Sequence, residues 1–128
     1  MRLRIPLVAL GVVALGVITS APAHAGVGQM TVSWQDNSID ETGFAIERAV
    51  GSGGIPGTFV EITRTAANVE LFVDRAGLVH NTQYCYRVRS LNAGGFSAFA
   101  NVSGGTATFA CATFQAAPPV APSSLVVI

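Results

Sequence analysis

The chain has no lysine, and only 11% of its 128 residues are charged, against roughly 25% in an ordinary soluble domain. Every cation is an arginine. Beyond residue 25, five arginines (Arg48, Arg64, Arg75, Arg87, Arg89) face seven carboxylates, a formal charge of 5 − 7 = −2. Phosphate backbones need clustered cations, so nucleic acid is not an expected partner. Cys85 and Cys111 are the only two cysteines, and His80 is the only histidine after residue 25. That set is too small for a zinc site. His80 also has no nucleophile or carboxylate placed beside it by spacing, which leaves the logic of a catalytic triad unmet. No enzyme, cofactor or metal is expected, and the plain reading of His80 is a surface turn histidine.

One long apolar run exists, and it lies at the front. Arg2 and Arg4 precede residues 5–18, and Ala23-His24-Ala25 then has the small-x-small pattern of a signal-peptidase site. The run falls short of the roughly 20 residues that span a bilayer. Residues 1–25 therefore read as a secretory signal peptide, and Gly26 as the first mature residue. The protein is expected to be secreted, extracellular or at the cell surface, with no membrane contact after cleavage. In that compartment an even cysteine count favours a Cys85–Cys111 disulfide, with a pair of free buried thiols as the alternative.

The mature part shows no helical periodicity. Short runs rich in Val, Ile, Thr, Phe and Tyr recur between Gly, Asn, Asp and Ser, the pattern of an all-β sandwich or barrel. "MTVSWQ" puts Val32 and Trp34 on one face; "GFAIERAV" puts Phe44 and Ile46 on one face and Glu47 on the other. "TFVEITRT" and a short strand ending near Asp74 follow. "TQYCYRVRSLN" alternates most clearly, with Tyr84, Tyr86 and Val88 inward and Cys85, Arg87 and Arg89 outward. A sixth strand is expected near residues 98–102, and the pairing of "SGGTATFACATF" is left open. These six strands predict a two-sheet sandwich with alternate residues buried between the sheets.

Two stretches carry a family resemblance. "VSWQDNSIDETGFAIERA" resembles the B strand, B–C loop and C strand of a fibronectin type III domain of the bacterial secreted kind. "LVHNTQYCYRVRSLNAGGFSAFANV" resembles its E–F turn, F strand, F–G loop and G strand. The resemblance covers about residues 30–103 and implies an immunoglobulin-like sandwich over 26–112. It also implies that Trp34 is the core tryptophan of strand B, Tyr84 the tyrosine that ties the E–F corner, and Leu78 the leucine before that corner. A buried tyrosine hydroxyl needs a partner, which a nearby backbone group supplies. His80 stands where the family usually has proline, and an extra "GGTATFA" delays Cys111. Strand A is missing in front of strand B.

Residues 113–128 form a proline-rich linker and an apolar end, "PPVAPSSLVVI" over 118–128, which is similar to the family's missing proline-led A strand. Pro122, Leu125 and Val127 are its candidate donor-strand residues. Three placements stay open: folding back into its own domain, addition to a neighbouring subunit in head-to-tail strand exchange, or membership of a second domain of a longer tandem protein. Asp36, Asp40 and Glu41 suggest calcium by type. Their spacing is not that of an EF-hand loop, and such residues commonly bond local backbone in turns. Arg87 and Arg89 are expected to pair with Glu47 across strands rather than bind an anion. The expected function is a secreted non-catalytic module that interacts with copies of itself or with another surface protein, in a filament or in cell adhesion. The alternative is a carbohydrate-associated accessory or adhesion domain of a secreted glycan-degrading system.

Overall fold

The computed structural model describes residues 28–128. The expected signal peptide, residues 1–25, lies outside them. The described chain is an all-β sandwich of two sheets with the strands β1 (Met30–Ser33), β2 (Gly43–Ser52), β3 (Ile55–Pro56), β4 (Val60–Ala66), β5 (Leu71–Asp74), β6 (Thr82–Asn92), β7 (Gly95–Phe96) and β8 (Ala110–Phe114). The small sheet holds β1 and β5 alone. The large one centres on β2 and β6, with β3 and β4 on the free side of β2 and β7 and β8 on the free side of β6. All pairings are antiparallel. β2 carries a register shift against β4 between Ile46 and Glu47.

Period-two alternation builds the core. Met30, Val32 and Trp34 from the small sheet meet Phe44, Ile46, Tyr84, Tyr86 and Val88 from the large one, all buried. Trp34 stacks at a tilt on Phe44, with centroids 5.3 Å apart. Leu78 packs on the cluster from its rim.

The end of the chain departs from expectation. Residues 98–102 are not a full strand, although Ala100 is buried and its N–H bonds the Val88 carbonyl at 2.8 Å. The free side of β6 is covered in succession by β7, Ala100 and β8, because the glycine-rich stretch after Asn101 leads the chain away before it returns. On its return Cys111 sits opposite Cys85 in the ladder, and the two form a cross-strand disulfide. The open segment "FACATF" is thus the true last strand. Residues 119–128, expected as a strand, contain none and are exposed throughout. An extended segment with no neighbour to pair with has no ladder to join.

β2 and β4 approach closely at Gly43, where a Cβ would stand 2.1 Å from the Thr65 carbonyl oxygen. Gly43→Ala has to push the two strands apart. It is expected to cost about 1–3 kcal/mol in urea unfolding, and a variant of unchanged stability would contradict so tight a contact.

Candidate functional site

β1 is four residues long, with Met30 and Val32 pointing into the core. Its register with β5 runs from Met30↔Asp74 to Ser33↔Leu71, continued by the Trp34 N–H to the Glu70 carbonyl at 3.1 Å. Alternate residues of an antiparallel strand bond to one side, so the backbone of Thr31 points to the other edge. Among the described residues β5 is the single strand partner of β1. An edge of this kind is a template for another strand.

The tail begins at the same end of the sandwich. The Asn81 N–H bonds the Phe114 carbonyl at 2.9 Å, and the Gly28 N–H bonds the Gln115 carbonyl at 3.0 Å. The Ala116 N–H then donates to His80 Nδ1 at 3.1 Å. His80 is exposed, as read from the sequence, but it holds the root of the tail, a role no local pattern signals. Beyond it the residues expected to form a donor strand, Pro122, Leu125 and Val127, are exposed, with Leu125 91% and Val127 87% accessible. The tail does not fold back onto β1.

Behind this edge lies a buried polar cluster. Asp74, 2% exposed at the end of β5, accepts from Tyr86 Oη at 2.8 Å and Arg48 Nη1 at 2.7 Å through one oxygen. Its other oxygen takes the Ala76 N–H, while Arg48 also donates to the Ala76 carbonyl. The Tyr84 hydroxyl accepts from the Val79 N–H at 2.9 Å, a local backbone tie across the turn. Burial and then the bond to Asp74 push the Tyr86 phenol far above its usual range. For Arg48, burial alone lowers the pKa, but the hydrogen bond and charge of Asp74 outweigh it and the net shift is upward.

The outer face of the large sheet carries an assembly that the sequence reading missed. The Arg87 guanidinium lies over Phe59 and Phe99, at 4.1 and 4.0 Å. Arg89 lies over Phe96 and Phe99, at 3.8 and 4.6 Å. Glu47 bonds both arginines, at 2.6 and 3.4 Å, the expected cross-strand pairing. The outward position of Arg87 and Arg89 was legible, but the rings come from segments scattered between residues 59 and 99. The ring faces that the guanidinium groups occupy are not free for stacking on sugars.

The loop between β1 and β2 is tied by local bonds. Asp36 Oδ1 accepts the Ser38 N–H, the Asp36 N–H donates to Glu70 Oε2, and Glu41 Oε1 accepts the Asn68 N–H. Ser38 Oγ donates to Asp40 Oδ1. Burial raises the Asp36 pKa, aided by the neighbouring Glu41 and Glu70. Burial works against the ionised Glu41, yet hydrogen bonds from its own backbone, Ser38 and Asn68 bring its pKa down. Among the described residues no three His, Cys, Asp or Glu side chains form a group that could hold a metal ion. No helix among them is long and apolar enough to cross a membrane, and the disulfide is compatible with an extracellular location.

No known family description matches this sequence, and neither does any curated protein.

Two predictions follow from the Asp74 cluster. Arg48→Met strands a buried carboxylate and is expected to cost about 3–5 kcal/mol in urea unfolding; a loss below 1 kcal/mol would refute the role given to the pair. Tyr86 keeps its proton in the folded state while the unfolded phenol ionises near pH 10. Its contribution is therefore complete below pH 10 and falls as pH rises beyond it, by about 1.4 kcal/mol per pH unit. Tyr86→Phe should flatten the alkaline loss of stability by that amount. Parallel curves for the two proteins between pH 9 and 11 would exclude the mechanism.

Proposed function

We propose that this chain is a secreted, non-catalytic module of the fibronectin type III kind that joins to further copies end to end. Each copy's C-terminal segment adds as a strand to the open edge of β1 in the next. One observation carries the reading: a strand edge with one partner coexists in the same chain with an unpaired apolar segment, exposed from Val120 to Ile128.

Direction favours exchange over return. The tail leaves from the end where β1 begins, beside Gly28. To pair antiparallel with its own β1 it must first travel to the far end of the sandwich and then come back. A neighbour stacked below that end receives it directly, antiparallel and without a reversal. Strand addition supplies backbone hydrogen bonds from the ladder and specificity from alternate side chains, here Leu125 and Val127 facing inward. Two strands facing a larger sheet centred on two long ones also suit a domain of this family that lacks its first strand. The phenyl faces covered by Arg87 and Arg89 weigh against the carbohydrate-associated reading.

Light scattering and negative-stain microscopy of the mature protein are expected to reveal linear assemblies. Deleting residues 119–128 should leave monomers of lowered Tm. The peptide 119–128 added in trans should restore the Tm, each kcal/mol regained appearing as roughly 4–8 °C. Leu125→Asp should mimic the deletion, because an inward charge has no partner. A full-length protein that stays monomeric at high concentration, with a Tm indifferent to truncation, would show the segment to be passive.

A further inference from the structure

The Cys85–Cys111 bond crosses between neighbouring strands of the large sheet. It joins the central strand β6 to β8, the strand from which the tail emerges. Between the bond and the tail lie three ladder pairs, Tyr84↔Ala112, Gln83↔Thr113 and Thr82↔Phe114. Behind it lie Ala110 and the loop back to β7. β6 is one of the two central strands of the large sheet, paired with β2 over the whole stretch from Gln83 to Leu91 and with β7 and β8 on its other side. The fold makes room for the bond: a Cβ at Gly51 on β2 would stand 2.7 Å from Cys85 Sγ.

We propose that this disulfide is a mechanical stop, which prevents β8 from being drawn off its own domain when the tail is held by a neighbouring copy. The inference rests on the strand-donation reading. A pull on residues 119–128 enters β8 at Phe114. Within β8, hydrogen bonds over three residues and the buried Phe114 ring resist it before Cys111. At Cys111 the load passes through a covalent bond to β6. Without that bond the short strand and the loop behind it strip away, and the donor loses its hold before the acceptor does. The ties of Gly28 to Gln115 and His80 to Ala116 lie on the tail side of Cys111 and take the load first.

The test uses filaments of the full mature chain. They are exposed to a fixed shear, with or without dithiothreitol, and their mean length is measured by electron microscopy; Trp34 fluorescence monitors the fold. Reduction is expected to shorten them several-fold. A second arm uses Phe114→Ala, which weakens β8 on the tail side of the bond. Oxidised variant filaments should survive shear as wild type does, and reduced ones should break further than reduced wild type. Equal lengths with and without reductant overturn the stop. Where reduction itself exposes Trp34, the oxidised Phe114→Ala filaments decide, and their shortening overturns it. If wild type forms no filament, the strand-donation reading falls and this inference with it; filaments that form yet ignore the disulfide remove only the inference.

Discussion

A single carboxylate holds the two layers in register. A pair of strands is marginally stable alone, and the β1–β5 sheet is no more than a pair. Asp74, at the last position of β5 and opposite Met30 of β1, fastens that pair to both central strands of the other sheet, through Arg48 of β2 and Tyr86 of β6. A buried charge is tolerated only when it is paired and hydrogen-bonded. Each partner therefore has to arrive in place, which fixes how far the small sheet can slide over the large one. The position of the open β1 edge is a consequence of that constraint.

The outer face shows the complementary arrangement. β6 has the disulfide, Arg87 and Arg89 in succession on its outward side, and the arginines are sandwiched by phenylalanines rather than left in water. Guanidinium groups are planar and weakly hydrated, so they stack where an ammonium would not. A chain whose cations are all arginine suits this use. The outer face of the large sheet is thus capped where Arg87 and Arg89 stack, while the small sheet has only β1 and β5.

The layers of the fold were legible where alternation is local. Tyr84, Tyr86 and Val88 inward against Cys85, Arg87 and Arg89 outward could be read from one strand, as could Phe44 and Ile46 against Glu47. The last strand was misplaced because β7 breaks off after two residues and the pattern resumes only at Ala110, across glycines that carry no periodic signal. Asp74 reads locally as a strand-ending turn residue, yet its ionic partner lies 26 positions away and depends on how two sheets are superposed. The phenyl–guanidinium stack and the bond of His80 to Ala116, 36 positions distant, likewise join segments that lie far apart in the chain. Pairwise spacing cannot reach contacts set by the meeting of separate layers. The tail was expected as a strand and is exposed without one, and its direction of departure needed the fold.

That direction makes the two ends of the sandwich chemically unlike. One end sends out an exposed apolar thread; the β1 edge proposed to receive it starts at that same end and runs away from it. A row of such units has no twofold axis. Its first member would show an unfilled strand edge and its last a loose thread, so the row has a head and a foot. Growth by single units at one terminus is then a different reaction from growth at the other, the first presenting a receptor and the second a ligand. A soluble peptide copied from the thread would cap only the terminus that bears the vacant edge.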